Sequence, residues 1–372
     1  MGVDDAGQGA RGRAVAARLS QKNYAVIPAG GAGTRLWPRS RRSTPKHTLP
    51  LGQGGQPLLR DTYDRVRGLV DEVYVVTERV QQPIIQAVLP EVDAEHLIIE
   101  PQARGTTNAY GLAALTLHAL DATGVMLAMA SDHVVHGRPE VTRALRAALR
   151  AADFSDDLVA IGLKPRFPST GLGYLHASRP GPARTRRVDR FIEKPDLKTA
   201  RRFYKSSGYY WNVAWFAWRT RIFIDEMARH APRHLAGLDK VVAARRAGDE
   251  AAAAQLYSHL PVEVIDRSVM EKTERLLLVP ASFDWADIGN WAELGDRVHA
   301  DSRGNSVEGE AVLVDTTGTL IFGDRRLVAG IGLEDMIIVD TEDALLVVPR
   351  SRAQDVRKVV DALKRARKTR YL

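Results

Sequence analysis

The sequence predicts an α/β fold: a mostly parallel sheet covered on both faces by helices, followed by a small β-rich domain. Three observations carry this. Short apolar runs alternate with helical patterns from residue 24 to residue 163, as expected for a sheet packed between helices. Glycine or polar turns stand immediately after apolar runs, notably at Gly30 and Ser131, where ligands bind in such sheets. Beyond about residue 301 the apolar runs shorten, separated by turn pairs such as Thr317-Gly318 and Gly323-Asp324.

Each element follows from local pattern. Residues 24–29 form a buried apolar strand. Residues 58–69 have helical spacing, with Leu58, Leu59, Thr62, Val66 and Leu69 on one side. Then come a strand at 73–76, a helix at 83–89, a strand at 97–99 and a helix at 105–121. A strand at 125–130, a helix at 140–152 and a strand at 158–163 complete the regular part, a Rossmann-like arrangement. In the β-rich part the runs fall at 311–314, 319–322, 326–331, 336–340 and 344–348, and 353–367 reads as an amphipathic helix. A short β-helix is one arrangement that fits, without a repeat regular enough to prove it. The expected division is a flexible extension at 1–22, a large domain at 23–300, and a small β-rich domain at 301–372.

Composition excludes several classes. Apolar content of 45 % and charged content of 26 % are ordinary for a globular chain. No run of about 18 apolar residues occurs, so no membrane is expected. The first 20 residues lack a signal-peptide core, and cysteine is absent, so disulfides and thiolate chemistry are excluded. Cytoplasm is the default compartment. Residues 1–50 carry nine Lys/Arg against two Asp, and 350–372 the same, so most of the chain is net acidic despite the overall charge of +8. A nucleic-acid face would run across the fold. Here the positive excess sits in a C-terminal tail and around glycines, at Arg35, Arg39, Arg41, Arg42 and Lys46, where it suits a polyphosphate.

The stretch "AVIPAGGAGTRLWP" (25–38) ends a strand in three glycines. Such a loop exposes backbone N–H groups to anions. It lacks the G-x-G-x-x-G of dinucleotide binders and the G-K-[ST] of P-loops. Pro38 and Pro45 argue against an immediate long helix, leaving an extended loop that carries Arg35 and Lys46, two charges suited to phosphates.

"GGAGTRLWPRSRRSTPKHTLPL" resembles the signature of sugar-1-phosphate nucleotidyltransferases, and its "LWP.SR" form is similar to the mannose-1-phosphate guanylyltransferase branch. The likeness runs over roughly residues 24–300: "EPQARGTTNA" (100–109), "SDH" (131–133), "TGLGYL" (170–175), "FIEKP" (191–195), "WNVAWFAWR" (211–219), "SVMEK" (268–272) and "WADIGNW" (285–291) follow in the family's order. Ala130 stands where the family often has proline, Val213-Ala214 where it has Ser-Gly, and Gly105-Thr106-Thr107 in a variable region.

The resemblance implies transfer of GMP from GTP to a sugar 1-phosphate, foremost mannose 1-phosphate, with release of pyrophosphate. A manno-heptose 1-phosphate is an alternative acceptor, and a catalytically silent homologue an alternative role. It implies Mg²⁺ or a similar divalent cation on Asp132 and Asp287, the pattern W-x-D-x-G-x-W selecting Asp287 over Asp284. Arg35 and Lys46 would act on the triphosphate as catalytic residues. Ala29, Gly30, Gly31, Gly33, Thr34 and Ser131 would line the nucleotide, with Glu100 and Gly105 at the base, glycine admitting a planar ring. Gly173, Glu193, Lys194, Asn212 and Asp287 would hold the sugar phosphate. Trp211, Trp215 and Trp218 read as core, and His133 as structural or as a support to the metal ligand it follows. A homodimer is expected by analogy.

Overall fold

The computed structural model describes residues 21–372 except Ala32; the extension expected at 1–22 lies, up to residue 20, outside the described residues. The strands are β1 (Asn23–Pro28), β2 (Glu72–Glu78), β3 (Leu97–Glu100), β4 (Val125–Ala128), β5 (His133–His136), β6 (Leu158–Leu163), β7 (Tyr174–His176), β8 (Arg179–Pro180), β9 (Arg186–Arg187) and β10 (Arg190–Ile192). They continue as β11 (Tyr209–Arg219), β12 (Leu276–Ala281), β13 (Asp284–Asp287), β14 (Ser306–Glu308), β15 (Ala311–Val314), β16 (Leu320–Phe322), β17 (Val328–Ile331), β18 (Met336–Asp340) and β19 (Leu345–Pro349).

The large sheet runs β3-β2-β1-β4-β11-β6-β12-β9-β8. β1, β2, β3, β4, β6 and β12 all point one way, and β11 alone among the central strands opposes them. The mostly parallel sheet is therefore as the alternation predicts. β1 and β4 carry unbroken apolar runs because helices cover both faces. One face packs under Thr106–Leu120, Thr220–His230 and Pro232–Arg246, the other under Leu58–Val66 and Arg138–Phe154, giving two separate buried clusters. The 158–163 strand lies where its sequence predicts, and the 105–121 helix is one residue shorter at each end.

β5 and β13 form a separate antiparallel ribbon in which Asp287 lies opposite His133. Residues 306–340 coil as a short β-helix: β14, β16 and β18 stack in parallel, and β15 stacks on β17, after which β19 turns back antiparallel to β18. The repeat distance is uneven, Ser306 pairing with Leu320 and Leu320 with Ile337. A coil of 14 residues followed by one of 17 leaves no fixed period in the sequence. The last helix is Val356–Arg365, its expected first turn instead taking the 3-10 form at Arg350–Asp355. It packs with Leu36, Trp37 and Trp291 in a third core, which joins the β-helix to the glycine-rich loop.

Candidate active site

Polar side chains converge beyond the carboxyl ends of β1 and β4. The chain leaves β4, passes Ser131 and Asp132, and re-forms as β5. The ribbon register then sets Asp287 beside Asp132 although they are far apart in sequence. Lys46 lies between them, its Nζ donating to Asp132 Oδ2 at 2.7 Å and to Asp287 Oδ1 at 3.2 Å. Lys46 is 5 % exposed; the two carboxylates are half-buried. Burial, the largest single influence, would raise the Asp132 carboxyl, but the charge and hydrogen bond of Lys46, together with the neighbouring histidines, outweigh it and hold the group well below the usual range. Burial disfavours the Lys46 ammonium, and the two carboxylates more than compensate, raising its pKa. Ligand atoms of Asp132, Asp287 and His133 lie within 4.8 Å of one another. His133 is buried, takes a hydrogen bond on Nδ1 from Trp215 Nε1 at 3.1 Å, and meets Trp285 edge-on at 5.1 Å.

The glycine loop is shaped by Lys46. Gly33 has φ 65°, and a Cβ there would sit 2.3 Å from Lys46 Cβ. The third glycine is thus required by close approach of the lysine stem. Thr34 opens the 3-10 turn Thr34–Leu36, and Ser40 Oγ ties back to the Gly33 carbonyl at 2.6 Å. Arg35 stands apart: it is exposed, donates to Gln354 Oε1 at 3.3 Å, and passes close to Gly289. The expected use of Arg39 and Arg41 on a polyphosphate needs correction. Arg39 donates to Glu308 and Asp324, each at 2.8 Å, and Arg41 grips Asp343 with two bonds of 2.8 and 2.5 Å. Their charge is matched by carboxylates of the C-terminal β-rich part.

A cleft of about 370 Å³ opens over this region, lined among others by Gly30, Gly31, Lys46, Glu100, Gly105 and Ser131. Ala29 is buried between the lining residues Pro28 and Gly30 and does not itself line the cleft; its carbonyl accepts from Thr77 Oγ1 at 2.9 Å. Glu100 is 3 % exposed and accepts from the Tyr257 hydroxyl. Burial pushes its carboxyl up to about 7, against the Tyr257 hydrogen bond and helped by Glu78. Gly105 does line the cleft, but its glycine has a different cause from the one expected. With φ 82°, a Cβ there would lie 2.2 Å from the Glu263 carbonyl oxygen. The close neighbour is the 260–266 loop. That loop braces this one through Thr107 Oγ1 to Glu263 O (2.9 Å), Asn108 Nδ2 to Pro261 O (2.8 Å) and Arg104 Nε to Leu260 O (2.7 Å).

A second group adjoins the cleft. Asn212 N donates to Gly173 O at 2.9 Å. A Cβ on Gly173 would lie 2.6 Å from Glu193 Oε2. Lys194 Nζ reaches Glu193 Oε1 at 3.2 Å, and Asn212 Nδ2 donates to Asp266 Oδ1 at 2.7 Å. Burial raises the Glu193 carboxyl despite Lys194. Lys194 has φ 50° and Ala214 φ 53°, left-handed conformations that cost a non-glycine residue about 1–2 kcal/mol. Asp266 is a residue that sequence reasoning missed. It lines the cleft, and burial, followed by the Glu193 charge, pushes it up to about 7. It opens a π-helical turn, Asp266–Met270, a form frequent at functional sites. The available signal was its place two residues before the "SVMEK" motif. Trp211, Trp215 and Trp218 are buried, as core residues should be.

A family model described as nucleotidyl transferase matches residues 24–303, and one described as a MannoseP isomerase/GMP-like beta-helix domain matches 309–363. A mannose-1-phosphate guanylyltransferase of Escherichia coli is 36 % identical over 93 % of this chain and 75 % of its own length. The alginate biosynthesis protein AlgA of Pseudomonas aeruginosa is 35 % identical over 91 % of this chain and 71 % of its own. A solved structure from Thermus thermophilus, described as a mannose-1-phosphate geranyltransferase, superposes with a TM-score of 0.80 at 34 % identity, covering 92 % of this chain and 100 % of that one.

Proposed function

The chain belongs to the nucleotidyl transferase family, and from that premise we propose that it transfers GMP from GTP to mannose 1-phosphate, giving GDP-mannose and pyrophosphate. The observation that carries the reading is the meeting of Asp287 with Lys46 and Asp132, two residues that line a cleft also lined by Asp266, itself bonded to Asn212. The first group suits a triphosphate, the second a polyhydroxylated ring.

No protein base is needed. A phosphate monoester has a second pKa of about 6 and is largely dianionic at neutral pH. Its oxygen attacks the α-phosphorus in line, and catalysis rests on alignment and charge neutralisation. Lys46 supplies a buried ammonium where phosphoryl charge develops. Its stem is fixed against Gly33, so the charge is pre-positioned. Ala29, Gly30, Gly31, Thr34 and Ser131 belong to the phosphate and ribose side. Glu100 and Gly105 shape the base end. Arg35, beside Gly289 and so near the Asp287 loop, is the residue we assign to the outer phosphates. Gly173, Glu193 and Asn212 receive the sugar, and Lys194 its phosphate.

Asp132 and Asp287 are hard oxygen donors, half-buried and adjacent, which fits Mg²⁺ better than a softer ion. They would hold it together, and when bound it supplies charge neutralisation at the phosphates. We further read residues 23–300 as the catalytic domain and 301–372 as its brace. No helix among the described residues is long and apolar enough to cross a membrane. We read the enzyme as cytoplasmic. Val312, Val314, Ile331, Leu345 and Val347 are exposed on the β-helix, which supports a homodimer through that domain.

The test is pyrophosphate release with GTP, ATP, UTP and dTTP against several sugar 1-phosphates. GTP with mannose 1-phosphate should give the highest kcat/KM; equal or better turnover with dTTP or ATP refutes the base assignment.

A further inference from the structure

β11 carries a bulge in mid-course. Opposite β6 it pairs Trp211 with Leu163 and Asn212 with Gly162, then resumes at Phe216 opposite Ala160. Val213, Ala214 and Trp215 therefore share the space of Ile161 alone. Bulges of this kind re-aim side chains beside active sites. Val213 and Trp215 go fully into the core. Between the strand ends, Ala214 is the one position that stays part-exposed, and it lines the cleft beside Ile265 and Asp266. Its φ of 53° suits glycine and strains alanine. The Asn212 side chain holds it there: Oδ1 accepts from Ala214 N at 3.0 Å while Nδ2 donates to Asp266. Strain persists where the surroundings over-determine it, and it clusters at ligand sites. A methyl kept at backbone cost on the cleft wall, next to a carboxyl, has a steric task there.

We propose that Ala214 is a specificity-determining residue, its methyl setting the shape of the sugar subsite and so separating hexose 1-phosphates that differ in the configuration of one ring hydroxyl. This rests on reading the cleft as a sugar-1-phosphate guanylyltransferase site. Val213 is buried behind it and cannot contribute. A single carbon in a substrate pocket discriminates by about 10–200-fold.

The experiment is kcat/KM with GTP for mannose, glucose and galactose 1-phosphates, in wild type and Ala214→Gly, alongside thermal unfolding of both. Ala214→Gly relieves the left-handed strain and should unfold no lower than wild type. Its preference for the best sugar over the next epimer should fall by about tenfold or more. A folded Ala214→Gly whose preference stays within about twofold of wild type overturns the inference. So does a lowered Tm with an unaltered preference, because the methyl is then packing only. Wild type that turns over none of the sugars with GTP refutes the functional reading and this inference with it. Wild type that discriminates while the variant discriminates equally refutes this inference alone.

Discussion

Replacing Gly33 by alanine should disable the enzyme through Lys46. The added Cβ would begin 2.3 Å from Lys46 Cβ, where ordinary contact starts at 3.4 Å. Something must move by the difference, about 1.1 Å. The lysine stem is the part that yields, because Gly33 is tied by its carbonyl to Ser40 Oγ at 2.6 Å. A shift of that size pulls Nζ from its bonds of 2.7 and 3.2 Å to Asp132 and Asp287. Misplacing a catalytic group by about 1 Å costs on the order of 10²-fold in rate. The left-handed φ adds about 1–2 kcal/mol of backbone strain, so the Tm should fall as well. Gly54→Ala is the control: it shares the left-handed backbone, with φ 68°, a Cβ there meets nothing within 4 Å, and it lies outside the cleft. Pyrophosphate release and thermal unfolding, measured on both variants, give the answer. Gly33→Ala with a kcat close to that of Gly54→Ala would refute the reasoning, because the lysine would then be indifferent to the loop beneath it.

Asp132→Asn and Asp287→Asn should each lower turnover by about 10²–10³-fold, and the double mutant should be far less than multiplicatively worse, since the two act as a unit. Asp284→Asn should cost some stability, its carboxylate being tied to Arg166 and Arg297, yet remain active; a dead Asp284→Asn beside a working Asp287→Asn would reverse the assignment. Lys194→Ala should raise the KM for sugar phosphate much more than that for GTP, and the opposite split would exchange the two phosphate sites. Glu100 is raised from 4.5 to about 7 in the folded chain, so between those values the native state holds a proton that the unfolded state has released. Stability from this group is present below the lower value and is lost as pH rises toward 7, by on the order of 1–3 kcal/mol. Glu100→Gln should flatten that part of the Tm-against-pH curve, and an unchanged slope would mean the carboxyl is ionised throughout.

The elements most legible in sequence are those whose signal is local. The strand 158–163 and the helix at Thr106–Leu120 are read nearly to the residue, because uninterrupted burial writes an apolar run and turn residues bound it. Asp132 is legible too, as the polar end of such a run. What escapes is whatever long-range pairing decides. β5 and β13 are four residues each, "HVVH" and "DWAD", and neither has the composition of a strand until it meets the other. Yet their register is what makes Asp287 a neighbour of Asp132. β11 is visible as a tryptophan-rich motif, but its direction against β4 and β6 is not. Asp266 owes its raised carboxyl to burial and to Glu193, a residue from another part of the chain, and no window of sequence holds both.

The grip of the β-helix on the glycine loop has a consequence in time. Arg39 waits for Glu308 and Asp324, Arg41 for Asp343, and the Trp37 indole for the Tyr371 carbonyl, which it meets at 2.7 Å. A ribosome that has made every strand of the large sheet through Ala281 has made none of these partners. From residue 301 to residue 371 synthesis takes on the order of 4–14 s at about 5–20 residues per second. Over that interval the lysine-bearing loop gains its anchors one at a time, Glu308 first and Tyr371 last, so the growing chain completes the sheet beneath the cleft well before it acquires the last means of holding the loop.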